Sequence, residues 1–292
     1  MKYSIATPCY NGYPKLGKCL GSVRSQAGGS ISVEHIVQDG GSTDETNAFL
    51  STYKTRYSDR NANDYTCLSN SEPDTGMYNA INKAWERSNG EILSWLNVDE
   101  QYLPGTLNKV DTVFSEHPEV GAVWGNFLCV NEDGSLRAAR KEIPARYHYL
   151  RNMNSYVASC TVFFRRSLWD CGWLKLDESY RVAADHDLYL RLLKEGVKMF
   201  HINEYLSLFE MSSGNLSVTM HRHVLEEGRR IFDHYGSFKN PILRKLIIFP
   251  RWMEKLMRGA YRPRNISYTY VMDDELHTKD FFARKADPRF RF

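Results

Sequence analysis

Between Glu91 and Pro104 an apolar run, Ile92 to Leu96, stops at two adjacent carboxylates, Asp99 and Glu100, and Pro104-Gly105 then turns the chain. A short apolar stretch bounded by turn residues reads as a strand buried on both faces, the kind a parallel sheet uses. Open α/β sheets bind ligands beyond the carboxyl ends of their strands. Two neighbouring acids at that place suit Mg²⁺ or Mn²⁺ carrying a diphosphate, because these ions combine few carboxylates with phosphate oxygens. The alternative is a solvated acidic turn that ends a strand.

The segments around this run alternate in the same way. Tyr3 to Thr7 reads as a first strand with Pro8 to Tyr13 as its loop, and Leu16, Cys19, Leu20 and Val23 give Lys15 to Ser25 a helical spacing. Ile31 to Gln38 is a second strand. Ser42, with Glu45 three residues on, is the expected cap of a helix reaching Arg56. A strand from Tyr65, a helix from Met77 to Ser88 ended by Asn89-Gly90, a helix from Pro104 to Glu116 and a strand from Gly121 to Val130 follow. Asn131 to Gly134 is a hairpin turn. Beyond it the pattern predicts a strand over Ser159 to Phe164, a helix over Asp185 to Glu195, and basic helices from about residue 222. Strands alternating with helices predict an α/β fold with a mostly parallel sheet flanked by helices on both faces.

The composition sets aside several classes. At 42 % hydrophobic and 25 % charged, the chain is that of an ordinary globular protein. The six cysteines are scattered with no C-x-x-C pair, which fits neither a zinc site nor a small disulfide scaffold, and points to reduced thiols. No stretch reads as a signal peptide or a membrane span. Residues 222 to 264 carry eleven Lys/Arg against four Asp/Glu, so a basic segment follows a mildly acidic body.

Three further segments accompany the acid pair: Ser4 to Asn11, with Thr7-Pro8-Cys9-Tyr10-Asn11 at its end; Glu34 to Asp44, containing Asp39-Gly40-Gly41-Ser42; and Ser71 to Lys83, containing Asp74-Thr75-Gly76-Met77-Tyr78-Asn79. In this order and spacing they resemble the family 2 glycosyltransferases with the GT-A fold, over roughly residues 1 to 215. The resemblance implies sugar transfer from a nucleotide-sugar with inversion at the anomeric carbon. It also implies a catalytic domain over residues 1–221, with a nucleotide-sugar-binding half (1–130) and an acceptor half (131–221); the charge and pattern beyond it predict a helical basic C-terminal extension (222–292).

Carried onto this sequence, the resemblance places Pro8, Tyr10 and Asn11 against the nucleotide base and Asp39 on the imide N–H of uracil or thymine. Asp39 also suits a turn, bonding the N–H groups of Gly40 and Gly41. Asp74, Met77 and Asn79 precede or open a helix whose N–H groups can hold phosphate or sugar hydroxyls. Asn79 stands where family members usually have aspartate, which leaves it hydrogen bonding in place of an acid role. Lys83, one turn on, is either a phosphate contact or a solvated helix residue. Asp99 and Glu100 match the metal-binding pair, with Glu100 in place of the usual second aspartate and Asn97 beside it on the donor. Thr161 lies in the segment leading to the acceptor side. In Tyr180 to Leu192 the resemblance selects Asp185 as the catalytic base. Asp187 and Arg191, at i and i+4, suit an ion pair. His221, in His221-Arg222-His223, is a candidate third metal ligand, or an ordinary polar residue at the start of a helix.

The expectation is an inverting, cation-dependent transferase of hexosyl or N-acetylhexosaminyl units, using Mn²⁺ or Mg²⁺ and a UDP-sugar. The acceptor would be a saccharide or lipid-linked saccharide in polysaccharide assembly. The expected location is the cytoplasm. A nucleotidyltransferase would carry a glycine-rich basic loop where Pro8 to Asn11 stand, and a non-catalytic scaffold of the same fold, partnering another transferase, would explain Asn79 and Glu100. No nucleic-acid partner is expected. Over residues 241 to 264, Ile242, Leu243, Leu246, Phe249, Trp252, Met253 and Leu256 form an apolar stripe flanked by Arg244, Lys245, Arg251, Lys255 and Arg258, with Pro250 expected to kink or divide the helix. The stripe suits an anionic membrane surface, the catalytic domain itself or a second copy of the chain.

Overall fold

The computed structural model describes residues 1–57, 64–212, 219–262, 264–272 and 275–283. Strand β1 (Lys2–Cys9) lies between β2 (Ser32–Asp39) and β4 (Ile92–Trp95), and β3 (Tyr65–Ser71) pairs with β2, all in parallel. Both faces are covered, as a parallel sheet requires. Helices α1 (Lys15–Arg24) and α4 (Thr106–Glu116) enclose Tyr3, Ile5, Ile92 and Leu96 on one face. Helices α3 (Met77–Glu86) and α7 (Ala184–Lys194) enclose Ala6, Leu93, Trp95 and Trp124 on the other. Helix α2 (Thr46–Tyr57) packs Leu50 and Tyr53 against α1 and β2. Gly90 passes so close to β1 that a Cβ there would meet the Ser4 nitrogen at 2.5 Å, which only glycine permits.

The second half continues the sheet in mixed directions. Short β8 (Phe163–Arg165) is antiparallel to both β4 and β6 (Ala122–Val130). Strand β9 (Met199–Glu210) is parallel to β6, and β7 (Leu136–Arg140) forms the expected hairpin with β6 across Asn131 to Gly134. Short helices α5 (Tyr147–Leu150) and α6 (Arg166–Asp170) fill the connections.

Four features depart from the sequence pattern. The Ser42/Glu45 capping box does not form: the Ser42 hydroxyl turns to Asp39, Asp44 accepts the Thr46 N–H at 3.0 Å, and the helix begins at Thr46. Glu100 is not in a loop but opens a strand, β5 (Glu100–Tyr102), paired antiparallel with the end of β9. Ser159–Thr161 forms a 3₁₀ turn, so only Phe163–Arg165 of that segment is strand. The C-terminal extension is helical only at first. Helices α8 (His221–His234) and α9 (Pro241–Met257) lead to an antiparallel hairpin of β10 (Arg264–Met272) and β11 (Glu275–Ala283). Within β10, Ile266, Tyr268 and Tyr270 alternate inward onto Leu103, Leu128 and Leu136, the period of a strand. Gln101 exchanges two hydrogen bonds with the Val271 backbone, so this hairpin braces the strand that carries Glu100. Helix α9 starts on an Asn240 cap with Pro241 at its first position, and runs through Pro250 undivided.

Candidate active site

A cleft of about 1750 Å³ opens at the carboxyl ends of β1, β2 and β4 and extends under α7, α8 and α9. Pro8, Tyr10, Asp74, Met77, Asn97, Asp99, Glu100 and Asp185 line it. Tyr10 is 65 % exposed and offers its ring to the cleft mouth.

The loops after β1 and β2 are tied to each other by Asn11 and Asp39, neither of which lines the cleft. Asn11 holds a positive φ of 51°; its N–H donates to Ser42 Oγ at 2.7 Å and its Oδ1 accepts the Thr43 N–H at 2.9 Å. Asp39 is fully buried and accepts from the N–H groups of Gly41 and Ser42, the hydroxyls of Ser42 and Ser71, and Asn47 Nδ2. Burial would raise its carboxyl, but these donors outweigh that and hold it below the usual carboxylate range. The turn role of Asp39 is therefore present in the structure, and its carboxylate faces its own loop. Asp74 lies against Gly40, where a Cβ would come within 2.7 Å of its Oδ2, and its Oδ1 accepts the Gly76 N–H at 2.8 Å. Gly76, at φ 134°, is the N-terminal boundary of α3, a conformation other residues rarely adopt.

Four expected site residues are turned elsewhere. Lys83 donates to the Pro73 carbonyl at 3.1 Å and pairs with Glu72 at 3.3 Å, bracing the loop before α3 and not lining the cleft. Asn79 donates to Glu178 at 2.9 Å, and Asn82 does so at 2.8 Å. An aspartate at 79 would repel Glu178, which gives the Asn a physical reason. Thr161 is fully buried with its hydroxyl on the Ala158 carbonyl at 2.8 Å, because the 3₁₀ turn points it inward; Ala158 and Ser159 reach the cleft instead. His221 opens α8 and is exposed outside the lining, and on a helix His221 and His223 diverge where a strand would align them.

The acid pair is poorly solvated. Burial, then the Asp99 charge, pushes Glu100 up to about 8. Burial raises Asp99 too; the Glu210 charge adds to this and Lys15 opposes it. Glu100 Oε2 accepts the Asn97 N–H at 2.8 Å, while Glu100 Oε1 and Asn97 Oδ1 are buried without a hydrogen-bond partner. Buried oxygens in this state are the donor set a hard divalent cation would satisfy. Among the described residues no group of three His, Cys, Asp or Glu side chains is gathered for a metal, so a cation here would draw its remaining ligands from a phosphate and water.

Asp185, the second residue of α7, lines the same cleft, and its charge adds to the upward push on Glu100. Burial pushes Asp185 itself up to about 6, against the His186 N–H that favours its ionised form. Asp187 faces away: Tyr235 Oη donates to it at 2.7 Å and Arg191 at 3.3 Å, the expected ion pair.

Sequence reasoning missed several supports. Glu210 ends β9 beside the acid pair, its N–H on the Asp99 carbonyl at 3.3 Å and its carboxylate 2.7 Å from Lys15. The signal is an apolar run, Leu206 to Phe209, stopping at an acid as Ile92 to Leu96 does. Glu227 accepts the N–H groups of Arg181 and Val182 at 2.7 and 3.0 Å and so sets the turn that aims Asp185. Glu142, Arg251 and Lys255 form an ion cluster on the far wall.

Residues 4–172 match the profile of Glycosyl transferase family 2. The chain belongs to that family. A PGL/p-HBAD biosynthesis glycosyltransferase of Mycobacterium bovis is 28 % identical over 191 residues, covering 65 % of this chain and 68 % of that protein. An uncharacterised protein of Mycobacterium tuberculosis is 27 % identical over 215 residues, and the match spans 63 % of its length. Among solved structures, residues 1–349 of Staphylococcus aureus TarS in complex with UDP-GlcNAc superpose with a TM-score of 0.59 at 16 % identity, over 96 % of this chain and 97 % of that one. The mannosyltransferase PcManGT of Pyrobaculum calidifontis, in complex with GDP-Man and Mn²⁺, gives 0.56 at 17 % identity over 88 % of this chain and 74 % of that one. At these identities the likeness is one of fold, the GT-A arrangement that the family's motifs imply.

Proposed function

We propose that the cleft binds a UDP-sugar and transfers its sugar, with inversion, to a hydroxyl of a saccharide or lipid-linked saccharide. The observation that carries this reading is a buried carboxylate, Asp185, lining the same cleft as the Asp99–Glu100 pair, with burial pushing it up to about 6. Asp185 takes the proton of the acceptor hydroxyl as its oxygen attacks the anomeric carbon, and the bond from that carbon to the diphosphate breaks with its electron pair leaving on UDP. Asp99 and Glu100 would hold Mn²⁺ or Mg²⁺, which supplies charge stabilisation to a departing diphosphate. Tyr10 and the loop organised by Asp39 receive the base, and the N-terminal turn of α3, with Asp74 and Met77, lies beside the sugar. The UDP-GlcNAc and GDP-Man complexes of the structural neighbours support a nucleotide-sugar donor.

Base choice tests the donor half. UDP is expected to bind more tightly than GDP by isothermal calorimetry. Asp39→Ala, which removes the carboxylate that sets the loop, is expected to weaken UDP by roughly 1–3 kcal/mol. Equal affinity for UDP and GDP, unchanged in the variant, contradicts the assignment.

We further propose that α9 rests on an anionic membrane surface. It turns its charged face inward, with Arg251 and Lys255 on Glu142 and Glu254 paired to Arg146, and leaves its apolar face outside. Ile242, Leu243, Leu246, Phe249, Trp252, Leu256 and Met257 are 44–72 % exposed, beside exposed Lys239, Lys245 and Arg258. Such a stripe with basic flanks suits an interfacial helix. No helix among the described residues is long and apolar enough to cross a membrane. Replacing Ile242, Leu246 and Phe249 with Gln is expected to abolish co-sedimentation with phosphatidylglycerol vesicles while the far-UV spectrum is kept. Undiminished vesicle binding contradicts the proposal, and so does a fall in molar mass from dimer to monomer by light scattering with no vesicle binding in either protein.

A further inference from the structure

Helix α8 is largely exposed, and its buried residues, Glu227, Gly228 and Ile231, follow half-buried Val224 at the spacing of a single helix face. That face carries a carboxylate where apolar residues are usual. Glu227 is 8 % exposed, and each of its oxygens accepts one backbone N–H, from Arg181 at 2.7 Å and from Val182 at 3.0 Å. A carboxylate is costly to bury unless such charge-assisted bonds satisfy it, so Glu227 and these two N–H groups hold one another in place. The N–H groups belong to the turn before α7, whose boundary residue, Ala183, has no side-chain oxygen to cap the helix. Asp185 follows Val182 by three residues.

The same turn is held from its other side. The exposed Arg181 guanidinium donates to the Thr75 carbonyl, and a Cβ on Gly76 would meet its Nη1 at 3.2 Å. Thr75 and Gly76 line the cleft where α3 begins, the place assigned above to the donor sugar. Arg181 and Thr75 are 106 residues apart in sequence, so the spacing of their two loops is a tertiary matter. Arg181 thus joins three elements, with its N–H on α8, its backbone leading into α7 and its side chain on the loop before α3. We propose that Glu227 and Arg181 are positioning residues for the transfer step: Glu227 fixes the turn that carries Asp185, and Arg181 fixes the distance of that turn from the loop beside the donor sugar. The inference rests on the transferase reading, and it gives α8, which lies beyond the family match over residues 4–172, a part in aiming the base.

Glu227 also bears on Asp185 through its charge. Burial is the main cause of the Asp185 rise to about 6, and the Glu227 charge adds to it against the N–H groups of His186 and Asp185. The other titratable groups that feel the Asp185 charge are Glu100 of β5, Tyr78 of α3 and Tyr189 of α7, and both tyrosines are buried and pushed up, so they stay neutral.

The test compares the full chain with Glu227→Gln, Arg181→Met and the double variant, in hydrolysis of a UDP-sugar with Mn²⁺ and in UDP binding by calorimetry. Gln keeps the size of Glu227 but turns an NH₂ group toward one of the two N–H donors. Each single variant is expected to lose about 10–10²-fold in turnover, the scale of a misplacement of about 1 Å, while UDP affinity stays within about twofold. Because both residues act on one turn, the double variant is expected to fall no more than about twofold below the slower single variant. Carboxyl ¹³C NMR, with Asp185→Asn to identify the signal, is expected to find Asp185 titrating at lower pH in Glu227→Gln than in the parent, which a purely structural role for Glu227 would not produce. Turnover within about twofold of the parent in either single variant overturns the proposal. So does a double-variant loss equal to the product of the single losses, or an Asp185 titration unmoved in Glu227→Gln. Loss of UDP binding together with turnover assigns the turn to donor binding and overturns it as well. Arg181 is exposed, so Arg181→Met decides the matter where Glu227→Gln folds poorly. Failure of the parent to hydrolyse any UDP-sugar counts against the transferase reading, and the Asp185 titration then still tests Glu227.

Discussion

Asp185→Asn is expected to lower turnover by at least about 10²-fold while UDP affinity stays within about twofold, because a positioned general base contributes roughly 10²–10⁴-fold. The amide keeps the size of the side chain but cannot take a proton from an acceptor hydroxyl. The N-terminal boundary of α7 is Ala183, and the amide oxygen of Asn can still accept the His186 N–H, so the variant removes chemistry more than structure. Activity should rise with pH through about 6, where Asp185 ionises. The stability effect has the opposite sign. Asp185 holds its proton more tightly folded than unfolded, so it destabilises the fold as pH rises from the ordinary aspartate range, about 4, through about 6. The Asn variant should accordingly melt higher than the parent at pH 7.5. Asp187→Asn is the contrast: it weakens the Tyr235 and Arg191 contacts, and should lower the melting temperature while turnover stays within a few-fold. Near-normal turnover in Asp185→Asn with a large loss in Asp187→Asn would move the base to Asp187.

Asp99→Ala is expected to weaken UDP binding in Mn²⁺ by about 10–100-fold, the scale of losing one strong interaction with a charged group. Chelator should reduce the parent to the same level and leave the variant unchanged. Glu100 is pushed up to about 8 by burial and by Asp99, so the cation-free fold loses stability as pH rises from the ordinary glutamate range, about 4, through about 8. Added Mn²⁺ should raise the melting temperature of the parent at pH 8, and should do so far less in Glu100→Gln. Equal UDP affinity with Mn²⁺ and with chelator, and no loss in Asp99→Ala, would remove the cation from the site.

The parallel part of the sheet is legible in the sequence because its signals are local. Apolar runs ending in Pro8, Asp39 and Asp99 mark strand ends, and helix-period spacings mark α1, α3 and α7. Individual contacts were less legible, because they depend on partners distant in sequence. Lys83 meets Glu72 and the Pro73 carbonyl, Asn79 meets Glu178 ninety-nine residues on, and Asp39 is enclosed by Ser71 as well as its own turn. The alternation over Ser159 to Phe164 points Thr161 at the cleft, and a 3₁₀ turn interrupts it. The β10–β11 hairpin carries its own period-two pattern in Ile266, Tyr268 and Tyr270, overshadowed by the basic helices before it. The stripe of α9 was visible, but which face meets the body was not. A cluster of one acid and two cations, Glu142 with Arg251 and Lys255, turned the charged side inward, against the usual order of burial.

The central claim is that this cleft holds a nucleotide-sugar and releases its sugar to a hydroxyl. The most direct measurement is nucleotide release from a panel of UDP-, GDP- and dTDP-sugars with Mn²⁺, using water as the acceptor, in the parent and in Asp99→Ala. Slow UDP release is expected from at least one UDP-sugar, faster than GDP release from any GDP-sugar, and abolished by chelator and by Asp99→Ala. No release from any donor, or release that persists unchanged in Asp99→Ala, would contradict it.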